Sequence, residues 1–595
     1  MKLGVLALAA AAVCAGADLT VLPGHVRVDP FGQITAADRG AGVAPARSMV
    51  VESARAAHVS CRLVVTSAAA AAYTLSVSGG VEAELFREWF HFLPKSKAYI
   101  VDALIPVALP AAAQLPAADN KVAGQTAQSY WLDLWVPANA RAGAEKVTVV
   151  LEAGGQKSAV TVEVRVLDAR VPDKDAVVMD HNAYGTSWFG GQYPGLAKKP
   201  GFYLSDDFFG LIHAYHRVYY EHRGVFHQLG YGHGGKVGEE FAPRLEGAGK
   251  NRHVADWTYY DKHYGPLFDG SAFAKTRRGA QPIPYVYTPI NPEWPASYLW
   301  WGEPGYEREF VNVVGEMEAH FRAKGWTKTK LELFFNHKKR YKAFEWDGDE
   351  TRFPKDFERF REYQRLMKAA MPAGSPVEWV YRTDASWQME RQFKELAGVI
   401  NFWVCGGGMF GWYLEEGLER KKQGDTVWIY GGTPPVARPS SHVTKELLET
   451  WMLGVDGFVR WLTVAPGADP WFQFQGGGET LVYPGERFGI SGPLASVRLK
   501  LERNALEDLA LLETYSASKG AAALRAEVAR RYNGTEVKDW HAPRPRLADG
   551  DPSEWTNADI GEAMPKDARF DEKLDAGAWA RVRAYVMELA KEGRR

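Results

Sequence analysis

The sequence predicts an α/β protein: a (β/α)8 TIM barrel preceded by an all-β sandwich and followed by a helical C-terminal extension. Three observations predict it. Residues 18–170 consist of short β-rich runs separated by Gly-, Pro- and Ala-rich turns. From about residue 176, strand-like runs alternate with helical segments, and eight such strands can be counted. From about residue 520 the chain is rich in Ala, Arg and Glu, with a Pro-rich break at WHAPRPRLADGDPSEW. A chain of 595 residues is too long for one ordinary domain. The expected segments are a leader at 1–17, a sandwich at 18–170, a barrel at 176–515 and a helical extension at 520–595.

The leader has Lys2 as its positive start, LGVLALAAAAVCAGA as its apolar stretch and Ala15-Gly16-Ala17 as an A-x-A cleavage site. It predicts export, to the periplasm or the outside of the cell. The apolar stretch is too short to span a membrane, and no later run reaches the ~18 apolar residues a span needs. The mature chain would keep Cys61 and Cys405, which lie in different predicted domains, so no disulfide framework is expected.

In the sandwich, HVRVDP, CRLVVTS, YTLSVSGG, KAYIVDALIPV, SYWLDLWVP, KVTVVLEAGG and SAVTVEVRVLD read as strands. The last two form a hairpin, with Gly154-Gly155 near its turn. The polar segment DARVPDKD then leads to the barrel.

The eight barrel strands are expected at 176–185, 224–232, 283–291, 330–338, 376–384, 398–407, 425–432 and 457–465. Helices fit between several of them. In EREFVNVVGEMEAHFRAKG, Phe310, Val313, Val314, Met317 and Phe321 fall on one face. KDFERFREYQRLMKAAM and SSHVTKELLETWMLG follow the same pattern. In LELFF, Leu331, Leu333 and Phe335 alternate with Glu332 and Phe334, which reads as one apolar strand face.

Net charge is −1 and there is no basic stripe, so the electrostatic footprint of a nucleic-acid binder is missing. No cofactor motif is present. His213 and His216, followed by His222, His227 and His233, lack the H-E-x-x-H spacing of a metal site, so no metal is expected.

Barrels of this class work at the C-terminal ends of their strands. Those ends are unusually polar here. They offer His181 after strand 1, His227 after strand 2 and Trp294 after strand 3. Asn336 and His337 follow strand 4, Arg382 and Asp384 strand 5, Tyr430 strand 7 and Trp461 strand 8. After Asn336-His337 comes an acidic loop with Glu345, Asp347, Asp349 and Glu350. Its carboxylates could act on substrate, wrap a cation or favour the start of the next helix.

The segment 449–513 resembles the end of the glycoside hydrolase family 123-like catalytic domain. The likeness rests on Gly457 to Trp461, Asp469-Pro470-Trp471, Leu481 to Gly485, Ser496 to Leu499 and Glu507-Asp508. YDKHYGPLFDG and PYVYTPINPEWPASY are similar to segments around strand 3 of that family. The resemblance spans about 176–515.

It implies a hydrolase of glycans, with substrates that can carry an N-acetylhexosamine. It also implies an adjacent Asp-Glu pair at the end of strand 4, the Glu as acid/base and the Asp orienting a 2-acetamido group. This chain has Asn336-His337 there, and its Asp-Glu pair, Asp349-Glu350, comes 13 residues later. Two readings follow. In the first the loop is longer and the pair folds back over the barrel mouth, with Glu350 as general acid and Asp349 or Asp347 as its partner. Asn336, His337, His181, His227, Arg382, Asp384, Trp294, Tyr430 and Trp461 then contact sugar. In the second the chain is a non-catalytic carbohydrate-binding protein on a degenerate barrel.

Overall fold

In the computed structural model the described residues are 16–296, 302–341, 344–351, 353–386, 389–540 and 574–592. Nearly all of the expected leader lies outside them, as does much of the C-terminal extension. The chain divides into two compact units, one ending at Ala169 and the other beginning at Arg170.

The first unit is a β-sandwich of ten strands. These are β1 (Asp18–Pro23), β2 (Ser48–Arg55), β3 (Ala57–Thr66), β4 (Ala71–Gly79), β5 (Glu82–Leu93), β6 (Ala98–Val107), β7 (Ala111–Leu115), β8 (Ala127–Val136), β9 (Gly143–Ala153) and β10 (Gln156–Arg170). One sheet has the order β1-β3-β8-β5-β6 and the other β2-β10-β9-β4-β7. The β9–β10 hairpin closes at Gly154-Gly155, both with positive φ. Inward residues such as Leu63, Leu132, Val149 and Val162 make the core. HVRVDP contributes only an isolated bridge, Val28 to Ile34. Strand β5 escapes a reading by periodicity because charges interrupt it. One of them, Glu88, is buried against Arg62 at 2.8 Å.

All eight barrel strands form. They are β11 (Val178–Tyr184), β12 (Gly224–Leu229), β15 (Tyr285–Tyr287), β16 (Lys330–Leu333), β17 (Trp379–Ala385), β18 (Phe402–Gly406), β19 (Thr426–Gly431) and β20 (Gly457–Arg460). The hairpin β13 (Arg244–Glu246) with β14 (His253–Asp256) fills the connection after β12. A second hairpin, β21 (Val482–Pro484) with β22 (Pro493–Ala495), follows β20.

The parallel ladder runs β12-β11-β20-β19-β18-β17-β16-β15. Among the described residues no ladder joins β12 to β15. The ring is bridged there by side chains, with His227 stacked on Tyr287 at 3.7 Å. The helix Tyr306–Lys324 buries the predicted stripe of Phe310, Val313, Val314, Met317 and Phe321.

Helices Ala521–Asn533 and Ala578–Glu592 pack onto the end of this unit. Trp579 donates its indole N–H to Asp508 at 3.0 Å, and the hydroxyls of Tyr532 and Thr444 lie 3.1 Å apart. Cys61 and Cys405 are buried free thiols. No helix among the described residues is long and apolar enough to cross a membrane.

Candidate functional site

The strands of a parallel barrel are buried on both faces, so alternate residues point to the interior or to the outer helices. The interior begins with an apolar floor of Tyr285, Val380, Phe402, Val404, Trp428 and Val459, with Val178 against it. Two residues further along several strands the interior becomes charged, with Asp180 on β11, Glu332 on β16 and Arg382 on β17. His227 of β12 joins them. All four are buried.

His227 bonds Asp180 through Nδ1, and its Nε2 lies 3.2 Å from Glu332 Oε1. Arg382 Nη1 donates to Glu332 at 3.1 Å and to the Tyr287 hydroxyl at 2.6 Å. Its Nε and Nη2 fork onto Asp384 at 2.9 and 3.3 Å. Burial pushes the Glu332 carboxyl up, against the pull of His227 and Arg382.

Glu332, together with Phe334, therefore belongs to the interior. The leucine face of β16 points outward, and Phe335 beyond it packs against Tyr363, with 4.5 Å between ring centres. His337 follows the same outward direction. It is buried against Phe344 and Trp346, at 4.5 and 4.4 Å between rings. Burial drives its imidazole down to about 3. Asn336 is buried too, and its backbone N–H donates to the Tyr231 hydroxyl at 3.1 Å.

The acidic loop returns to the strand it left. The N–H groups of Gly348 and Asp349 both donate to the His337 carbonyl, at 3.0 and 3.2 Å. A Cβ on Gly348 would lie 2.4 Å from Phe335 Cβ and 2.8 Å from the Phe335 carbonyl oxygen, so glycine permits this approach. The pair that follows 13 residues after the strand in sequence is thus back at the strand's end in space.

There Glu350 is held on both oxygens. Oε2 accepts from Lys338 Nζ at 2.6 Å; Oε1 accepts from Ser386 at 2.6 Å and from the Tyr430 hydroxyl at 2.8 Å. Asp349 Oδ2 lies 3.1 Å from the same ammonium and 3.2 Å from His233 Nε2. Glu350 adopts φ +53°, an uncommon backbone for a residue with a side chain and one that collects at functional sites.

The neighbours split the carboxyls. Burial alone would raise Glu350, but Lys338, Ser386 and Tyr430 outweigh it and hold the group down to about 2. At Asp384 burial prevails over Arg382, and with Asp349 and Glu350 nearby the carboxyl is pushed up to about 7. Asp384 therefore keeps its proton to a much higher pH than Glu350 does. Tyr184, facing Asp349 and Asp384, accepts from the Trp461 indole. Trp461 is 40% exposed. On the other side Tyr341 stacks over His233, with 5.5 Å between ring centres.

Of the residues expected at the mouth, Glu350, Asp349, Asp384, Tyr430 and Trp461 come together. Arg382 and His227 lie beneath them, out of reach of a ligand. His181 points outward, where it meets Glu502 at 3.0 Å and stacks on Tyr219. Asp347 caps the loop backbone by accepting from Lys339 N–H at 2.7 Å. Asn336 and His337 are sealed in, and Trp294 is half-buried in the connection after β15.

Lys338 and Ser386 were not anticipated. The signal for them is parity, since Lys338 continues the interior series Glu332, Phe334, Asn336, and Ser386 continues Arg382 and Asp384.

No family model matches the chain, and no curated protein matches it in sequence. Among solved structures, an endo-1,4-β-D-xylanase 10B from Clostridium thermocellum aligns with a TM-score of 0.30. It has 10% identity and covers 82% of this chain and 93% of that one. A β-glucuronidase from Bacteroides uniformis aligns with a TM-score of 0.27, at 9% identity, over 86% of this chain and 50% of its own. Both scores are too low to bear on the fold. A family 123 glycoside hydrolase from Clostridium perfringens aligns with a TM-score of 0.65, covering 97% of this chain and 99% of its own, at 12% identity. The fold of this chain is similar to that of a family 123 glycoside hydrolase.

Proposed function

We propose that the chain hydrolyses a glycosidic bond at the barrel mouth, with Asp384 carrying the proton and Glu350 and Asp349 acting as ionised carboxylates. The observation that carries this reading is the contrast in surroundings of the two carboxyls: Lys338, Ser386 and Tyr430 all donate to Glu350, whereas Asp384 is buried. Glycosidases need one carboxylic acid and one carboxylate across the scissile bond. Glu350 is the acid expected from the sequence; the bonds from Lys338, Ser386 and Tyr430 favour the ionised form there and so support the reverse assignment.

Trp461 supplies an exposed ring for a sugar face. The adjacency of Asp349 and Glu350, together with the family 123-like fold, supports a substrate bearing a 2-acetamido group.

The test is an assay of wild type, Asp384→Asn and Glu350→Gln on aryl β-glycosides and glycans, N-acetyl-β-hexosaminides included. Wild type should turn over at least one of them, and each variant should lose about 10²–10⁴-fold. Undiminished turnover by Asp384→Asn removes it as the acid. Binding without turnover by wild type supports the non-catalytic reading, which the full set of bonds on Glu350 favours.

A further inference from the structure

Interior positions of a (β/α)8 barrel are usually filled by branched apolar side chains. Here the layer beneath the mouth is a row of ionisable side chains: Asp180, His227, Glu332 and Arg382, contributed by four different strands. Buried ions cost several kcal/mol each, and apolar side chains of similar volume generally serve stability as well or better. Stability therefore does not account for the row. Its upper end does bear on the site, because Arg382 forks onto Asp384 at 2.9 and 3.3 Å.

We propose that Asp180, His227, Glu332 and Arg382 are positioning residues for Asp384, sharing the Arg382 guanidinium between Glu332 below and Asp384 above. This rests on the reading of Asp384 as the proton carrier.

Arg382 has one face toward Glu332 and Tyr287 and the other toward Asp384. What Glu332 takes of its charge, Asp384 does not have. His227 tempers Glu332 from the other side, and Asp180 holds His227. The other groups facing Asp384 are Asp349 and Glu350 from the loop, Tyr184 from β11, Cys405 from β18 and Tyr430 from β19. Facing His227 are Asp180, Glu332, the Tyr287 ring and His216.

The arrangement predicts shifts of opposite sign. Glu332→Gln leaves the guanidinium wholly to Asp384, so the Asp384 titration falls by about one pH unit or more. His227→Gln leaves Glu332 to draw on Arg382 and moves the titration upward.

The experiment reads the alkaline limb of the rate profile for each variant. It also reads the carboxyl titration by infrared difference against Asp384→Asn. The spectroscopic titration needs no turnover, so it decides the relay even where wild type hydrolyses nothing and the proposed activity fails. A residue that only supports folding lowers the melting temperature and leaves the midpoint in place. Midpoints that stay at the wild-type value in the folded variants, or that all move in one direction, overturn the proposal.

Discussion

Lys338 places its ammonium 2.6 Å from Glu350 Oε2, although 12 positions separate the two in sequence. The contact joins the start of the acidic loop to its end, and the same ammonium lies 3.1 Å from Asp349. It makes the loop's closure and the charge of the carboxylate pair one property.

Replacing Lys338 by Met therefore acts on both. Glu350 has its folded value held down to about 2, below the ordinary range. It thus contributes stability above its unfolded value, and that contribution is lost as pH falls through the folded one. Lys338→Met should lower unfolding free energy at pH 7 by an amount on the order of 1–3 kcal/mol. The gap to wild type should narrow as pH falls from about 4.5 toward 2. Urea unfolding across that range checks it, and a gap that stays constant with pH would count against the pairing.

Gly348 should tolerate no side chain. With its Cβ position 2.4 Å from Phe335 Cβ, Gly348→Ala must displace the loop or the strand. A loss of about 1–3 kcal/mol is expected, together with most of the activity, because Asp349 and Glu350 move with the loop. Melting temperature and turnover equal to wild type would show that the loop returns by other means.

Trp461 is exposed, so its removal should spare stability to within about 0.5 kcal/mol. If it stacks on sugar, Trp461→Ala should raise KM about tenfold and change kcat little. A fall in kcat at constant KM would place the ring elsewhere in the reaction.

His337 should behave as a core residue that happens to titrate. Burial keeps it neutral down to about pH 3, whereas the unfolded chain takes up a proton near pH 6.5. Stability is then full above that pH and falls as pH drops through the window between. His337→Phe should abolish about 2 kcal/mol of the stability that wild type loses between pH 7 and 5. Denaturation of both proteins at the two pH values measures it. Equal losses would show that His337 is protonated in the folded state.

The eight barrel strands, the sandwich hairpin and the main helices are determined by the sequence alone. Each depends on a short local pattern: an apolar run, a Gly-Gly turn, or a stripe at helical spacing. The presence of an Asp-Glu pair near strand 4 is equally local. Only the tertiary structure decided which of these polar residues meet. A strand buried on both faces carries no polar-out alternation to reveal its inner side. That is why Glu332 turned out to be interior, and why His181 and His337 face the outer layer. Parity along the strand, read after the interior is known, separates Lys338 and Asn336 from His337. Only the tertiary structure carried Asp349 and Glu350 back to the strand end, through an approach that a glycine at 348 permits. Proton affinity lay furthest from the sequence. Glu350 and Asp384 are ordinary carboxylates until Lys338, Ser386 and Tyr430 gather on one and the burial of the barrel interior acts on the other. Those neighbours come from segments at or beyond the ends of different strands, and only folding sets their distances.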